Sequence, residues 1–220
     1  VNISSYNYTT IKSCDIVQAD IASDTADSYG VYATSSKNNS VFNNSIRTVG
    51  ASGNGIYLFT EVYNNSVYNN SITTIGGNAN GVNLNGVTDT VVYENKINTS
   101  GSTASGIVSS SSISPNNYVS IHHNIISLSN SNTNGIRVLS AAKYNNIHSN
   151  TIVTNGGTSN GIDISNQERN ISIYSNSITI GGSNSNGIRL TSNILNFTIN
   201  SNNITTNKTK IYGIYLNDRV

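Results

Sequence analysis

A glycine followed by an aliphatic residue recurs along the chain at nearly constant spacing. The intervals between successive copies are 25, 26, 25, 29, 26, 26 and 26 residues. Each glycine opens a short stretch in which aliphatic and polar residues alternate, as in Ile162-Asp163-Ile164. A period of two places the aliphatic side chains on one face of a β-strand. The repeated glycines are Gly30, Gly55, Gly81, Gly106, Gly135, Gly161, Gly187 and Gly213.

Two further strands follow within each repeat. The pattern aliphatic-x-x-Asn-x-Ile comes next, as in residues 147–152 and 173–178. A third short strand continues from that Ile and ends in a Gly- and Asn-rich corner such as Gly181-Gly182. No helical period is present. Three strands and three corners in about 26 residues describe one triangular coil.

Stacking is what makes such a coil stable. One coil cannot bury its own aliphatic face, but a copy above and a copy below can cover it. About eight coils at the ordinary strand spacing of about 4.8 Å would form an all-β parallel solenoid with columns of Ile, Val and Leu inside. We therefore expect residues 1–220 to form one β-helix domain.

The most regular column of the repeat is polar. Asparagine tolerates a left-handed backbone at a corner, and its amide can both donate and accept a hydrogen bond. Stacked amides can therefore satisfy one another in a continuous internal ladder. Cys14 stands at the same place in the first coil, and the ladder residues are Asn44, Asn70, Asn95, Asn124, Asn150, Asn176 and Asn202.

This constellation resembles the pectate-lyase-like right-handed parallel β-helices, in which one corner carries an internal asparagine ladder. It is also similar to the parallel β-helix repeats of secreted and cell-surface proteins, including adhesin-like proteins of methanogenic archaea. The resemblance covers essentially the whole chain and implies a right-handed, single-stranded β-helix. It does not select a function, because such repeats serve lyases, hydrolases, epimerases, adhesins and phage tailspikes.

Composition narrows the function classes. Charged residues make up 10% of the chain, the net charge is +1 and no basic run is present, which argues against nucleic-acid binding. No stretch reaches the 18 or so apolar residues of a membrane span.

The chain begins with Val1 and contains no methionine, so we expect a fragment or processed piece of a longer precursor. We expect an extracellular or cell-surface location, with candidate glycosylation sequons at Asn2, Asn7, Asn170, Asn196, Asn203 and Asn207.

Outward positions of the first strand carry the first candidate site. Arg137, Asp163 and Arg189 occupy one column in successive coils. The functional interpretation is a carbohydrate-facing charge cluster, which would make these three residues weak catalytic candidates. The alternative, which the sequence favours, is an exposed cross-strand ion pair of a few tenths of a kcal/mol. A lyase of the pectate-lyase-like class would also need clustered acidic residues to hold calcium, and no coil shows such a cluster here.

A column of ring side chains on the second strand carries the second candidate site. These residues could bind sugar rings or a partner surface, and they could equally support stacking between coils. Two histidines in adjacent coils make a metal site conceivable, but without a carboxylate cluster they are a poor ligand set, so we expect no metal and no cofactor. The column contains Phe42, Tyr68, Tyr93, His122, His148 and Tyr174.

The charges at the two ends of the chain predict contact between copies of the protein. Residues 1–28 contain one lysine against four aspartates, whereas residues 187–220 contain four cationic side chains against one aspartate. Ends of opposite charge favour head-to-tail contact between copies, which generates filaments. The sequence therefore favours a non-enzymatic structural or adhesive surface protein that contacts surface glycans or other copies of itself. A polysaccharide-active lyase, hydrolase or epimerase and a glycan-binding module remain the alternatives.

Overall fold

The computed structural model describes residues 1–18, 28–111, 116–139, 142–206, 208 and 211–217. Its described part forms twenty-five β-strands arranged in three parallel sheets, and each turn of the chain contributes one strand to each sheet. The prediction of a right-handed parallel β-helix with about eight coils and an internal asparagine ladder is confirmed.

The first sheet contains the strands that follow the repeated glycines. Neighbouring strands pair in parallel register, so that Arg137 lies opposite Asp163 and Asp163 lies opposite Arg189. Its strands are β1 (Asn2–Ser4), β4 (Val31–Thr34), β7 (Ile56–Tyr63), β10 (Val82–Thr88), β13 (Ile107–Ser110), β16 (Ile136–Leu139), β19 (Ile162–Ser165), β22 (Asn186–Thr191) and β25 (Tyr212–Asn217).

The second sheet contains the strands that lead into the asparagine ladder. It consists of β2 (Thr10–Lys12), β5 (Ser40–Phe42), β8 (Ser66–Tyr68), β11 (Val91–Tyr93), β14 (Ser120–His122), β17 (Asn146–His148), β20 (Arg169–Tyr174) and β23 (Leu195–Asn200). The third sheet follows the ladder and consists of β3 (Asp15–Gln18), β6 (Ser45–Thr48), β9 (Ser71–Thr74), β12 (Lys96–Thr99), β15 (Ile125–Leu128), β18 (Thr151–Thr154), β21 (Ser177–Ile180) and β24 (Asn203–Thr206).

The core consists of aliphatic columns that run along the solenoid. Ile147 is fully buried and lies between Ile121 and Ile173 of the adjacent coils. Burial of one such side chain stabilises the fold by about 1.5–3 kcal/mol relative to exposure. Because each coil repeats the same inward positions, every column stabilises all of the coils that it crosses.

The asparagine ladder has one direction throughout. The side-chain Nδ2 of Asn124 donates to Oδ1 of Asn150 at 3.0 Å and to the carbonyl oxygen of Val92 at 2.9 Å. The backbone N–H of Asn124 donates to the same Oδ1 at 3.0 Å. Each central amide thus donates twice and accepts twice, so none of its hydrogen-bonding capacity is left unused.

The left-handed residue at this corner is not the one that the sequence indicates. The expectation that the ladder asparagines adopt positive φ is wrong, because the residue before each of them does so. Asn43, Asn69 and His123 have φ values of 54°, 53° and 55°. This placement turns the chain just ahead of the ladder and leaves the ladder amide pointing into the core.

A second asparagine ladder lies at the corner before the first sheet. Asn160 donates from its backbone N–H and its Nδ2 to Oδ1 of Asn134, at 3.1 and 3.0 Å. Asn186 repeats this contact with Asn160 at 2.9 and 3.0 Å. These amides donate toward the N-terminal end of the solenoid, whereas the first ladder donates toward the C-terminal end. This second ladder was not predicted from the sequence.

Candidate functional site

The charged column on the outer face of the first sheet forms a compact group. Nε of Arg137 lies 3.8 Å from Oδ2 of Asp163, and Nη1 of Arg189 lies 3.7 Å from Oδ1 of the same carboxylate. The side chains of the two arginines are 44% and 40% exposed, whereas the Asp163 side chain is 6% exposed. The carboxylate is therefore enclosed between two arginine side chains that remain partly exposed to solvent, although Nε of Arg137 itself is buried.

The burial of Asp163 corrects the expectation of an exposed ion pair. Enclosure raises the pKa of Asp163 above its ordinary value, because desolvation of the charged form outweighs the opposing effects of Arg189 and Arg137. The separations are also longer than those of hydrogen bonds, and Oδ1 has no hydrogen-bond partner. The arginines therefore retain donor groups that an incoming anion can use.

A cluster of aromatic rings lies on the same face, toward the N-terminal end. The ring of Tyr29 stacks on the ring of Tyr32 with centroids 5.4 Å apart. The rings of Tyr29 and Tyr57 meet in an edge-to-face arrangement with centroids 4.9 Å apart. Phe59 lies 5.5 Å from Tyr57. The register places Tyr57 and Arg137 three coils apart, which is about 14 Å at strand spacing. One continuous face thus carries apolar rings and cationic groups.

Carboxylates are sparse on this face. In the described strands of the first sheet, the acidic residues are Glu61 and Asp163. They are four coils apart along the solenoid, so at least about 19 Å separates them. The paired carboxylates of glycoside hydrolases lie roughly 5–9.5 Å apart. This geometry does not match the acid pair that glycoside hydrolysis requires.

The ring column on the second sheet is continuous, and all six of its members are half-buried. Phe42 stacks on Tyr68 at 4.7 Å, and Tyr68 stacks on Tyr93 at 4.8 Å. The column then passes through both histidines to Tyr174, with centroid separations of 5.2, 4.8 and 4.7 Å. The rings are nearly parallel, with interplanar angles between 7° and 19°. This stacking supports the coils, and a binding role for the column stays a prediction.

The ring of His123 lies against the stacked rings of His122 and His148. Nδ1 of His122 lies 2.9 Å from Nδ1 of His123, and their planes are nearly perpendicular at 89°. Burial and the neighbouring charges of His148 and His123 lower the pKa of His122, while Glu94 opposes them. Burial and His123 lower the pKa of His148. Both shifts disfavour the protonated forms of His122 and His148.

The sequons differ in their exposure. Asn2, Asn7, Asn196 and Asn203 are exposed, and Asn170 is half-buried. Asn207 lies outside the described residues. The use of these sites stays a prediction. In the described part of the chain, no helix has the length and apolarity needed to cross a membrane.

Comparisons with known proteins identify the fold. No family model matches the chain, and no curated protein sequence matches it. Among solved structures, the chain is similar to the periplasmic alginate epimerase AlgG, with 15% identity and a TM-score of 0.56 over 86% of this chain and 47% of that one. It is also similar to alginate lyase from Paenibacillus sp. str. FPU-7, with 12% identity and a TM-score of 0.51 over 99% of this chain and 89% of that one. The chain thus spans about half the length of the epimerase, and the likeness shows a shared parallel β-helix fold.

Proposed function

We propose that the outer face of the first sheet binds acidic glycan chains without cleaving them. The observation that carries the proposal is the placement of Arg137 and Arg189 on either side of the buried Asp163, because it presents two partly exposed arginine side chains on one rigid face. Arginine binds carboxylates through paired N–H donors. Two arginines two coils apart would therefore hold two carboxylates of an extended polymer.

The aromatic cluster supplies the second half of the proposed surface. Sugar rings pack their apolar faces against aromatic side chains, and Tyr32 and Tyr57 lie on the same outer face as the arginines. The glycan would run along the solenoid axis, with a ring on the tyrosines and carboxylates on the guanidinium groups. Two solved proteins of this fold act on alginate, an acidic polysaccharide, and this agrees with the ligand class.

Binding is favoured over catalysis because the chemical groups of an enzyme are not brought together here. Asp163 is nearly inaccessible, and no second carboxylate lies near it on the described strands of the face. In the proposed role, the solenoid is a surface module that displays a glycan-binding face, in an extracellular and adhesive setting. A lyase or epimerase acting through Asp163 is the alternative that the experiment must separate.

Calorimetric titration of oligouronates and of neutral oligosaccharides of equal length tests this proposal. Saturable binding of the acidic series alone is expected. Arg137→Gln or Arg189→Gln should weaken it at least about tenfold, since hydrogen bonds to charged groups contribute about 1.5–3 kcal/mol each. Arg47→Gln is the matched control, because Arg47 is exposed on the third sheet. Equal binding by all of these variants, or no binding by the parent protein, overturns the proposal.

Asp163→Asn separates binding from catalysis. Removing the negative charge between the arginines should preserve or strengthen the binding of acidic oligomers, and added salt should weaken it. The alternative enzyme requires the opposite result. It predicts that the parent protein forms unsaturated or epimerised uronate, detected by ultraviolet absorbance or NMR, and that Asp163→Asn abolishes the product.

Self-association is a second proposal, supported by the opposite net charges of residues 1–28 and residues 187–220. A head-to-tail contact between copies would bring these opposite charges together. The charge difference between the ends depends partly on Asp20, Asp24, Asp27, Lys210, Asp218 and Arg219, which lie outside the described residues. Light scattering at low and high salt tests the contact, and a monomer at both salt concentrations contradicts it.

A further inference from the structure

The corner between the second and third sheets brings two histidine nitrogens together at the surface. His122 belongs to β14, and His123 is the positive-φ residue that follows it, so their rings leave the backbone in different directions. The result is a nearly perpendicular pair with Nδ1 atoms 2.9 Å apart. His123 is exposed and His122 is half-buried, so solvent and small ions can reach the pair.

The nitrogen separation specifies a coordination geometry. Imidazole nitrogens bind first-row metal ions at about 2.0–2.1 Å. Two such bonds that end 2.9 Å apart enclose an angle of about 90°. That angle belongs to adjacent ligands of a square-planar or octahedral ion, whereas tetrahedral zinc requires a wider separation. Tetragonal nitrogen ligation favours Cu²⁺ and Ni²⁺.

The ring planes determine which histidines can share an ion. The lone pair of an imidazole nitrogen lies in the plane of its ring. His122 and His148 are stacked at 4.8 Å with an interplanar angle of 12°, so their lone pairs run in parallel planes and cannot meet at one ion. His123 stands across the plane of His122, so the two lone pairs do not lie in parallel planes and a shared ion is not excluded.

We propose that His122 and His123 form a surface site for Cu²⁺ or Ni²⁺, in which the two Nδ1 atoms are adjacent ligands and water fills the remaining positions. In the described residues, no group of three or more His, Cys, Asp or Glu side chains is placed to hold a metal ion, which agrees with a site of two protein ligands. Each ring would bind the ion through the lone pair of Nδ1, which requires the tautomer that carries its proton on Nε2.

The surroundings support a cation at this position. Glu94 occupies the place equivalent to His123 in the preceding coil, and its charge acts on His122. A carboxylate at strand spacing lowers the electrostatic cost of bringing a divalent ion to the surface.

The repeat provides variants that remove the ligands and preserve the coil. His122→Tyr places in the column the residue that Tyr68 and Tyr93 already provide. His123→Asn places at a positive-φ corner the residue that Asn43 and Asn69 already provide there. Their thermal unfolding should match that of the parent protein. His148→Tyr is the control, because it changes a histidine of the same stack that the geometry excludes from the ion.

Calorimetric titration of the protein with CuCl₂, NiCl₂ and ZnCl₂ alone tests the site. One ion per chain is expected, with affinity in the order Cu²⁺ above Ni²⁺ and both above Zn²⁺. Each of His122→Tyr and His123→Asn should weaken Cu²⁺ binding at least about tenfold. His148→Tyr should leave it unchanged, and the electron paramagnetic resonance spectrum of bound Cu²⁺ should show two coupled nitrogens.

Several results overturn the site. Absence of saturable binding by Cu²⁺ and Ni²⁺ removes it, and so does unchanged binding in the double variant His122→Tyr/His123→Asn. Loss of binding in His148→Tyr to the same extent shows that the ligand pair is wrong. Tightest binding of Zn²⁺ contradicts the geometry derived from the nitrogen separation.

Discussion

The amide of Asn124 donates to Oδ1 of Asn150 through both its backbone N–H and its Nδ2, each at 3.0 Å. Asn150 makes the same two contacts with Asn176, also at 3.0 Å. One side-chain oxygen thus serves two donors of the preceding coil, while the amide nitrogen of the same side chain binds the following coil. Hydrogen bonds between asparagine side chains therefore connect successive coils along the whole corner.

Asn150→Ala removes one step from the middle of this ladder. Two buried donors of Asn124 lose their acceptor, and Oδ1 of Asn176 and the carbonyl oxygen of Ile121 each lose the side-chain donor of residue 150. The free energy of unfolding should therefore fall by about 1–3 kcal/mol. Urea unfolding followed by circular dichroism measures the change. Asn146→Ala is the control, because Asn146 is exposed on the adjacent strand. Equal stability of the two variants would show that the ladder contributes nothing.

The repeat explains why most of the fold could be predicted from sequence. Each inward position recurs about eight times. Where the residues of one coil do not show which side chains face inward, the equivalent aliphatic or asparagine residues of the other coils do. Ile121 and Ile147 illustrate this, because each predicts the burial of the other. The same redundancy predicted the ring column through His122 and His148.

Features that occur once were not predictable. Glu168 is flanked by Gln167 and Arg169 in sequence and would be taken for an exposed corner residue, yet it is fully buried. Its neighbours in the column, Ala142 and Ile194, are apolar, and the pairings of Arg169 with Lys143 and with Leu195 fix that alignment. The burial of Asp163 was missed for a related reason, since it depends on how two long arginine side chains fold over the carboxylate.

Cys14 interrupts the ladder at its N-terminal end. Its backbone N–H donates to Oδ1 of Asn44 at 3.1 Å, but its thiol lies against the carbonyl oxygen of Lys12. Cys14→Asn should add a side-chain donor to Asn44 and raise the free energy of unfolding by up to about 1 kcal/mol. Cys14→Ala should give no such gain. A melting temperature that is equal in the two variants would contradict the extension of the ladder.

The repeated glycines are required by close approach between coils. A Cβ added at Gly135 would lie 2.5 Å from the carbonyl oxygen of Gly161 and 2.3 Å from Cγ2 of Ile152. Because one of these atoms belongs to the backbone, Gly135→Ala should cost about 1–3 kcal/mol of stability. Gly213 occupies the same place in the last coil and has no atom within 4 Å of such a Cβ.

Gly213→Ala is therefore the matched control for this position. It should be neutral or stabilise the protein by a few tenths of a kcal/mol, through the reduced freedom of the unfolded chain. Thermal unfolding of both variants measures the difference. If Gly135→Ala is as stable as Gly213→Ala, contact between coils is not what selects glycine.

Glu168 should make the stability of the protein depend on pH. Burial raises the pKa of its carboxyl group to about 7, although the nearby backbone of Ala142 opposes the shift, and neither carboxylate oxygen has a hydrogen-bond partner at bonding distance. The folded protein therefore holds this proton more tightly than the unfolded chain does. Stability from Glu168 is fully present at low pH and is lost as the pH rises from about 4.5 to about 7. The shift corresponds to about 3 kcal/mol in all.

Glu168→Gln isolates this contribution, because glutamine keeps the shape of the side chain and does not titrate. The free energy of unfolding of the variant minus that of the parent should increase as the pH rises through this window, and should level off above it. Urea unfolding at a series of pH values measures the difference. Asp15→Asn is the control, because Asp15 is an exposed carboxylate on β3. A difference between Glu168→Gln and the parent that is constant with pH would mean that the Glu168 carboxyl group titrates alike in the folded and unfolded chains.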